Sequence, residues 1–338
     1  MPKESCSVTD IEGILIGHAQ DSEALTGCTV ILCKKGAVGG VDQRGGSPGT
    51  RETDLLRPMH LVEKIHAIVL TGGSAFGLDS ATGVMKFLED NGIGFNTGVA
   101  RVPIVPAAVL FDLSLGRAEI RPNAEMGFIA CKNATSTPPL EGNFGAGTGA
   151  SVGKIFGMSQ AMKSGIGTAG FNLGGGLIVS AIIAVNAFGD VIQPETGRIL
   201  AGARTIQKGP IIIGNESQFA NTLFIMKSLI GKTVMNFAAS QNTVIGTVVT
   251  NATLNKEEAN KVAQMAHDGL ALTIRPAHTM LDGDTLFVMA TGKHKADVNI
   301  IGAFAAQAVA QAIINAVMKS EPAGGLPSAR DFLKLSNQ

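Results

Sequence analysis

The run from Ile178 to Val185 constrains the fold most strongly, because it is apolar almost throughout and has the length of a strand. A strand of this kind is buried on both faces, so its sheet must be covered on both sides. Val298 to Met318 is also apolar, but Gln307, Gln311 and Asn315 recur at every fourth residue, which places their amides on one face of a helix. We interpret this segment as a buried helix of a soluble protein and not as a membrane span.

Further strands and helices are predicted on both sides of this run from β-branched stretches and from helical spacing of apolar residues. The predicted strands are Cys28 to Cys33, Ala67 to Thr71, Thr243 to Thr250 and Thr285 to Ala290, and the predicted helices are Ser74 to Glu89 and Lys256 to Leu272. From about Gly214 to Gln241 the periodicity weakens, which indicates a connector. Apolar helices mixed with strands predict an α+β layered sandwich, in which helices cover the sheets.

Charge is scarce and balanced in this chain. Charged residues make up 16% of it, 27 basic side chains balance 27 acidic ones, and Trp and Tyr are absent. Nucleic-acid binders need positive surface and aromatic stacking platforms, so we expect no nucleic-acid partner. The low charge predicts that part of the surface is covered in an oligomer.

The four cysteines lack paired spacing and no apolar signal segment is visible, so we expect reduced thiols in a cytoplasmic protein.

Two glycine-rich segments resemble known catalytic loops but do not match them. Ser74 lies between a predicted strand and helix, as a nucleophile elbow would, yet Phe76 occupies a position where that motif requires glycine. We therefore favour a turn or a substrate-lining loop for Ser74. The segment Gly145 to Lys154 lacks a glycine that a phosphate loop requires, and Ile155 replaces its magnesium-binding Ser or Thr, so nucleotide binding is not expected.

Four polar side chains are candidates for chemistry, each with a simpler alternative. Lys154 could donate to a carbonyl or shift a neighbouring pKa, although the segment taken alone favours a solvated surface lysine. Asn186 ends an apolar run and could stabilise an oxyanion, or it could only form a turn. Asp282 and Asp284 point to the same side of an extended chain, so one should bind a proton more tightly, but an Asp-Gly turn explains them as well.

Thr243 is a candidate nucleophile only if the chain is cut immediately before it. A threonine hydroxyl needs a base, and the free α-amine of an N-terminal threonine can serve, with a pKa of about 7.7 to 8.0. The local pattern alone favours an ordinary threonine that begins a strand. None of the six histidines forms a metal-binding pair with another histidine or a cysteine, so we expect neither a metal nor a cofactor.

Several motifs in the same order, taken together, resemble the DmpA family of L-aminopeptidase/D-esterases, β-aminopeptidases and aminohexanoate-oligomer (nylon) hydrolases. The resemblance runs from about Asp10 to Met318. The segments that carry it are DQRGGSPGTRETDLL from Asp42, LTGGSAFGLDSATGV from Leu70, GAGTGASVGK from Gly145, NTVIGTVVTNA from Asn242 and HTMLDGDTLF from His278.

This resemblance implies one catalytic domain with a four-layer αββα fold, formed by a precursor that cuts itself before a Ser or Thr. Here the cut would fall between Asn242 and Thr243, giving an α chain of residues 1–242 and a β chain of residues 243–338. Members of the family are commonly tetramers. We therefore expect a self-processing amide hydrolase that acts on a small peptide or amide substrate, assembled as a homotetramer of processed protomers.

The resemblance also assigns roles within the site. It implies that Lys154 and Asn186 assist catalysis, with Asn186 holding the oxyanion, and that Asp282 and Asp284 form hydrogen bonds around the nucleophile. Phe111 stands where relatives carry a substrate-contacting tyrosine, so a phenol hydroxyl is missing here. Two alternatives remain: an acyltransferase related to ornithine acetyltransferases, and a non-catalytic binding protein of the same fold.

Overall fold

The computed structural model describes residues 6–208, 211–214, 218–228 and 242–335. Its helices are α1 (Ser80–Asp90), α2 (Ala124–Lys132), α3 (Thr222–Lys227), α4 (Lys256–Thr273), α5 (Val298–Met318) and α6 (Ala329–Leu335). Its longer strands are β1 (Ile14–Asp21), β2 (Thr26–Gln43), β4 (Lys64–Thr71), β10 (Ile166–Asn172), β11 (Ile178–Asn186), β16 (Thr243–Thr253) and β18 (Thr285–Lys295).

Short strands and 3-10 helices connect these elements. The short strands are β3 (Thr50–Arg51), β5 (Phe95–Asn96), β6 (Arg101–Val102), β7 (Ala107–Val109), β8 (Ser151–Val152), β9 (Met162–Lys163), β12 (Asp190–Ile192), β13 (Ile199–Ala201), β14 (Ile206–Lys208), β15 (Ile211–Ile213) and β17 (Ile274–Arg275). The 3-10 helices are Val8–Asp10, Asp54–Leu56, Ser74–Asp79, Gly145–Gly147 and Met158–Gln160.

One large sheet runs through the protein and is continuous because β2 belongs to both of its halves. The strand order is β10-β11-β16-β18-β2-β4-β7-β3, with β1 paired to β2. The first part of β2 pairs with β1 and β4, and its last residues, from Val38 onward, pair with β18. The pairing of β2 with β4 shifts register between Leu32 and Ala37. The long strand therefore links two half-sheets.

Three clusters of buried apolar side chains divide the described residues into four layers. The middle cluster packs Ile31 and Ile68 of one half-sheet against Ile182, Ile245 and Phe287 of the other. A second cluster packs α4 and α5 on β11, β16 and β18. A third packs α1 and α2 on β1, β2 and β4. The order helix, sheet, sheet, helix confirms the predicted α+β four-layer αββα sandwich.

Strand β16 shows how alternation in the sequence builds these layers. Val244 and Val248 face the helices α4 and α5, whereas Ile245 and Val249 face the core between the half-sheets. Successive strand residues point to opposite faces, so Thr243 points to the same side as Ile245. The side chain of Thr243 therefore lies at the end of the cleft between the two half-sheets.

Most predicted elements are confirmed, with small changes at their ends. The run from Ile178 is a strand whose nine residues are all buried, and the helix Val298–Met318 has the predicted bounds. The predicted helix from Ser74 begins instead as a 3-10 turn, and α1 starts only at Ser80. Gly73 and Ser74 have φ of 81° and 54°, left-handed values that are incompatible with the start of an α-helix.

The predicted connector between Gly214 and Gln241 lies largely outside the described residues, which omit 215–217 and 229–241. In the described part, Thr222–Lys227 forms a short helix that Asn221 caps through its side chain. This helix of six residues lies within the predicted connector, and it gives little periodic signal because it is so short.

Helix α5 is the one helix among the described residues that is long and apolar enough to cross a bilayer. Half of its most apolar window is buried within the protein. On its amide face, Gln311 donates to Asn315 at 3.0 Å, and Asn315 donates to the carbonyl of Thr168 at 2.7 Å. These contacts, together with its packing on α4 and the sheet, are those of a core helix.

Candidate active site

Thr243 is the first residue of β16, and its neighbours come from the strands on either side. Asn186, the last residue of β11, is its antiparallel partner, so both side chains point to the same face of the sheet. On the other side, Asn242 forms a parallel bridge with Asp282, just before β18. Asn242 and Thr243 are only 3% and 5% exposed, so the bond between them is enclosed by the protein.

The hydroxyl of Thr243 lies against the peptide bond that precedes it. Its Oγ1 donates a hydrogen bond to the carbonyl oxygen of Asn242. The same oxygen accepts a hydrogen bond from the main-chain N–H of Gly283 at 3.0 Å. A potential nucleophile and a polarising donor therefore meet at one carbonyl group.

Asp284 holds the start of β16 in place. Its Oδ1 accepts from the N–H of Val244 at 2.8 Å. Its Oδ2 accepts from both the main-chain N–H and the ring Nδ1–H of His278, at 3.1 and 2.8 Å. Because this carboxyl group is buried, the three donors compensate its loss of hydration.

Asp282 is the carboxyl group that is poised to bind a proton. Burial, and after it the charge of Asp284, raises the pKa of Asp282 to about 6. Its Oδ2 accepts from the main chain and hydroxyl of Thr279 at 3.0 and 2.6 Å, and its Oδ1 accepts from the N–H of Phe188 at 3.4 Å. The spacing of the pair indicated this asymmetry, but burial contributes more to it than the neighbouring charge does.

Lys154 is a buried lysine and not the solvated one that its segment alone allowed. Its Nζ donates to Oδ1 and to the main-chain oxygen of Asn186, at 2.7 and 3.1 Å. Burial lowers the pKa of Lys154 to about 7, while the charges of Asp282 and Asp112 oppose this shift. The group can therefore lose or accept a proton near neutral pH.

Asn186 belongs to the strand β11 and is not a turn residue. Its Nδ2 donates to the carbonyl of Phe111 at 2.8 Å, and its Oδ1 also accepts from the N–H of Ser151 at 3.1 Å. These contacts orient the carboxamide, with its oxygen towards Lys154 and its nitrogen towards Phe111. They tie the glycine-rich segment that ends at Lys154 to the strand beside Thr243.

A small cavity of about 120 Å³ opens beside Thr243. Phe111 and Ser74 both lie in its wall. The complete lining is Ser47, Pro48, Gly49, Ser74, Ala75, Val109, Phe111, Asn242 and Thr243, none of which is charged. The cavity suits a small, uncharged group bound next to the hydroxyl of Thr243.

The structure thus brings together all the residues that the sequence singled out for the site and adds others. Gly283, His278 and Ser151 contact them, yet no sequence pattern assigned these three a role. His278 and Gly283 do lie within the segment HTMLDGDTLF, so the motif was visible although their functions were not.

Among the described residues, no group of three or more His, Cys, Asp or Glu side chains is arranged to hold a metal ion.

Comparison with known proteins matches this chain to one family over nearly its whole length. The sequence model of Peptidase family S58 matches residues 6–329. An uncharacterized aminopeptidase of Mycobacterium tuberculosis is 40% identical, over 96% of this chain and 97% of that protein. A 6-aminohexanoate-oligomer endohydrolase of Agromyces sp. is 29% identical, over 91% of this chain and 84% of that protein.

Two solved structures share the fold at low sequence identity. The L-aminopeptidase D-Ala-esterase/amidase of Ochrobactrum anthropi, described as a variant of the Ntn hydrolase fold, superposes with a TM-score of 0.70 at 16% identity and covers 98% of this chain and 94% of its own. The β-aminopeptidase of Burkholderia sp. superposes with a TM-score of 0.66 at 20% identity, over 100% of this chain and 96% of its own.

Proposed function

Because this chain belongs to peptidase family S58 and is a hydrolase of peptide or amide bonds, we propose that it activates itself by cleaving the bond between Asn242 and Thr243. Thr243 then becomes the N-terminal nucleophile of an aminopeptidase-type enzyme. The contact between the Thr243 hydroxyl and the carbonyl of Asn242 carries this proposal, since the hydroxyl lies beside the peptide bond that would be cut.

Self-cleavage begins when Oγ1 of Thr243 loses its proton and attacks the carbonyl carbon of Asn242. The new C–O bond forms as the C–N bond breaks, and the amine of Thr243 takes up a proton, leaving an ester. Water then hydrolyses the ester and releases the carboxylate of Asn242. Lys154, with its pKa lowered to about 7, and Asp282, with its pKa raised to about 6, are the groups nearby that can exchange protons near neutral pH.

After the cut, the free amine of Thr243 serves as the base for its own hydroxyl. The hydroxyl attacks the carbonyl of a substrate amide, the amine leaves with a proton, and water resolves the acyl-enzyme. Asn186 would stabilise the oxyanion of this second reaction, a role supported by its pairing with Thr243 across the sheet and by the contacts with Lys154 and Phe111 that orient its carboxamide. An oxyanion donor of this kind is worth about 3 kcal/mol in comparable sites.

The substrate side of the proposal rests on the cavity beside Thr243. Its volume of about 120 Å³ and its uncharged lining favour a small acyl residue without a charged side chain. Phe111 contributes an apolar ring there and no hydroxyl. The relatives are named as aminopeptidases and as an aminohexanoate-oligomer hydrolase, so linear amides with small acyl groups are the substrates to try first.

The first test measures the intact mass and the N-terminal sequences of the purified protein. We expect two chains, the smaller beginning Thr-Val-Ile-Gly, and a single uncut chain of 34.7 kDa for Thr243→Ala. Thr243→Ser retains a hydroxyl at the same position and is the matched control, which should still cleave. Cleavage of Thr243→Ala at this bond would sink the proposal.

A second test separates hydrolysis from acyl transfer and from binding without catalysis. The processed protein is offered small amides of L-, D- and β-residues and of aminohexanoate, with and without an added amino acid as acceptor. Release of free acid at a rate that does not depend on the acceptor supports a hydrolase. Faster formation of the acylated acceptor indicates a transferase, and no turnover of any amide indicates a binding protein.

A further inference from the structure

The carbonyl oxygen of Asn242 has a main-chain donor directed at it. The N–H of Gly283 donates to this oxygen at 3.0 Å, and the hydroxyl of Thr243 contacts the same oxygen. When a hydroxyl attacks a carbonyl carbon, negative charge collects on that oxygen. Donors at about 2.7 to 3.1 Å from it stabilise the transition state.

Gly283 can approach this closely only because it has no side chain. A Cβ at this position would lie 2.9 Å from Oγ1 of Thr243 and 2.5 Å from the carbonyl oxygen of Ser47. Both distances are shorter than normal contacts, so a larger residue would force this loop or its neighbours Ser47 and Thr243 to shift. The glycine is therefore needed for this arrangement of the N–H and the bond to be cut.

The loop that carries Gly283 is fixed from both sides. The N–H groups of Ser47 and Arg44 donate to the carbonyls of Asp282 and Asp284, each at 2.9 Å. The two aspartates also accept hydrogen bonds through their side chains, Asp284 from Val244 and Asp282 from Thr279. A donor held in this way needs little reorganisation as charge develops on the carbonyl oxygen.

We propose that the main-chain N–H of Gly283 is the oxyanion donor for self-cleavage, a role separate from that of Asn186. This inference rests on the proposed function, because it requires Thr243 to attack Asn242. Asn186 directs its carboxamide towards Phe111 and Lys154 and remains the candidate donor for the external substrate. The precursor reaction and the hydrolytic reaction then use different donors around one hydroxyl.

The test compares the rates at which freshly made precursors of Gly283→Ala and Gly46→Ala cut themselves. Removal of one oxyanion donor slows comparable reactions by about 10² to 10³. We expect Gly283→Ala to slow self-cleavage by at least about tenfold, since displacement of the loop lengthens the hydrogen bond without deleting the donor. The readout is the fraction of uncut chain against time on a denaturing gel.

Gly46→Ala is the matched control, since its Cβ would press on Met280 in the same pair of loops, 2.7 Å from the Cα atom, without facing Thr243. It should lose similar stability and slow cleavage much less. Equal slowing of both variants, or cleavage of Gly283→Ala at the wild-type rate, overturns the role of Gly283. Failure of the proposed function shows separately, as a wild-type chain that stays uncut or a Thr243→Ala chain that still cleaves.

If Gly283→Ala does not fold, amide hydrogen exchange in the uncut Thr243→Ala protein tests the hydrogen bond on which the proposal depends. The amide of Gly283 should exchange at least about tenfold more slowly than in an unstructured chain, because it is bonded to a buried carbonyl. Cleavage of the wild-type protein should change that protection, since the carbonyl of Asn242 becomes a free chain end. Rapid exchange of Gly283 in the uncut protein rejects the proposal.

Discussion

At the residue scale, the two buried lysines Lys154 and Lys163 carry the most unusual chemistry. Lys163 is fully buried, and its Nζ donates to the carbonyls of Gly147 and Ala150, each at 3.0 Å. Burial lowers the pKa of each lysine to about 7. Both ammonium groups fix the glycine-rich segment Gly145 to Lys154. Lys163 donates to main-chain carbonyls of this segment, and Lys154, at its end, donates to Asn186.

These lysines predict how stability depends on pH. An unfolded lysine titrates near pH 10.5, so between about pH 7 and 10.5 the unfolded chain binds more protons than the folded one. The free energy of unfolding should therefore rise as pH increases from about 7 to 10.5. The stability gained over this interval is lost again as pH falls to 7. Lys154→Met should remove about half of the rise, as one of the two groups is deleted.

Urea unfolding between pH 7 and 10 checks this prediction. The exposed Lys261→Met is the control and should keep the wild-type slope. An unchanged slope in Lys154→Met would mean that this lysine keeps its proton in the folded protein throughout the range.

His278 is expected to position the nucleophile through Asp284. Its ring donates to Asp284 at 2.8 Å, and its φ of 58° lies in the left-handed region that asparagine also tolerates. His278→Asn should keep much of the hydrogen bond and of the backbone conformation, whereas His278→Ala loses the bond. The alanine variant should be less stable by about 1 to 3 kcal/mol and should cleave itself more slowly.

Thermal unfolding and the rate of self-cleavage measure the two effects of His278. A purely structural role predicts that cleavage is normal once the alanine variant is folded. Recovery of the cleavage rate by the asparagine variant would support a positioning role.

At the scale of elements, glycines determine how closely the helices pack. Where α4 crosses α5, a Cβ on Gly269 would lie 2.0 Å from the carbonyl oxygen of Ala306. On the opposite layer, a Cβ on Gly127 of α2 would lie 1.9 Å from the carbonyl oxygen of Ser80 at the start of α1. Each helical layer is thus packed backbone to backbone, which explains why a chain so rich in small residues forms a dense core.

Gly269→Ala should force α4 and α5 apart and lower the free energy of unfolding by about 1 to 3 kcal/mol, as overpacking does elsewhere. The neighbouring Asp268→Ala changes an exposed side of the same helix and should stay within about 0.5 kcal/mol of the wild type. Urea unfolding of both variants provides the comparison. Equal stability of the two would show that the helix crossing can absorb a methyl group.

At the scale of the whole molecule, the proposed cut falls in the middle of the large sheet. Strand β16, which follows the cut, lies between β11 and β18, and β18 pairs in turn with β2. The two helices α4 and α5 that cover this half-sheet also follow the cut. The segment after the cut thus supplies two central strands and most of one helical layer.

The two chains should therefore remain associated after cleavage, since separating them would break the sheet and expose its core. On a sizing column they should elute together without denaturant and separate only when unfolded. We further propose that the processed protomers form a tetramer, which light scattering on the same column would detect as about four times the mass of one protomer. Elution of a free small chain would contradict the first expectation, and a monomeric mass the second.

The sequence by itself determined the main elements of the chain's second half and indicated that helices cover the sheets, because hydrophobic periodicity is a local property of the chain. The buried strand from Ile178 and the helix from Val298 to Met318 could be identified in this way. The ordered motifs also named the residues that meet around Thr243. Local patterns failed where one residue changes the backbone, as at Ser74, where a left-handed conformation delays the start of α1.

Only the tertiary structure decided which groups act on one another within the site. It buried Lys154 against Asn186, which sequence patterns could not distinguish from a surface position. It also directed the N–H of Gly283 at the carbonyl of Asn242. Every residue except proline carries a main-chain N–H, so even a visible glycine in a motif does not show that its N–H acts as a donor. Its position depends on strand pairing between segments that are distant along the chain.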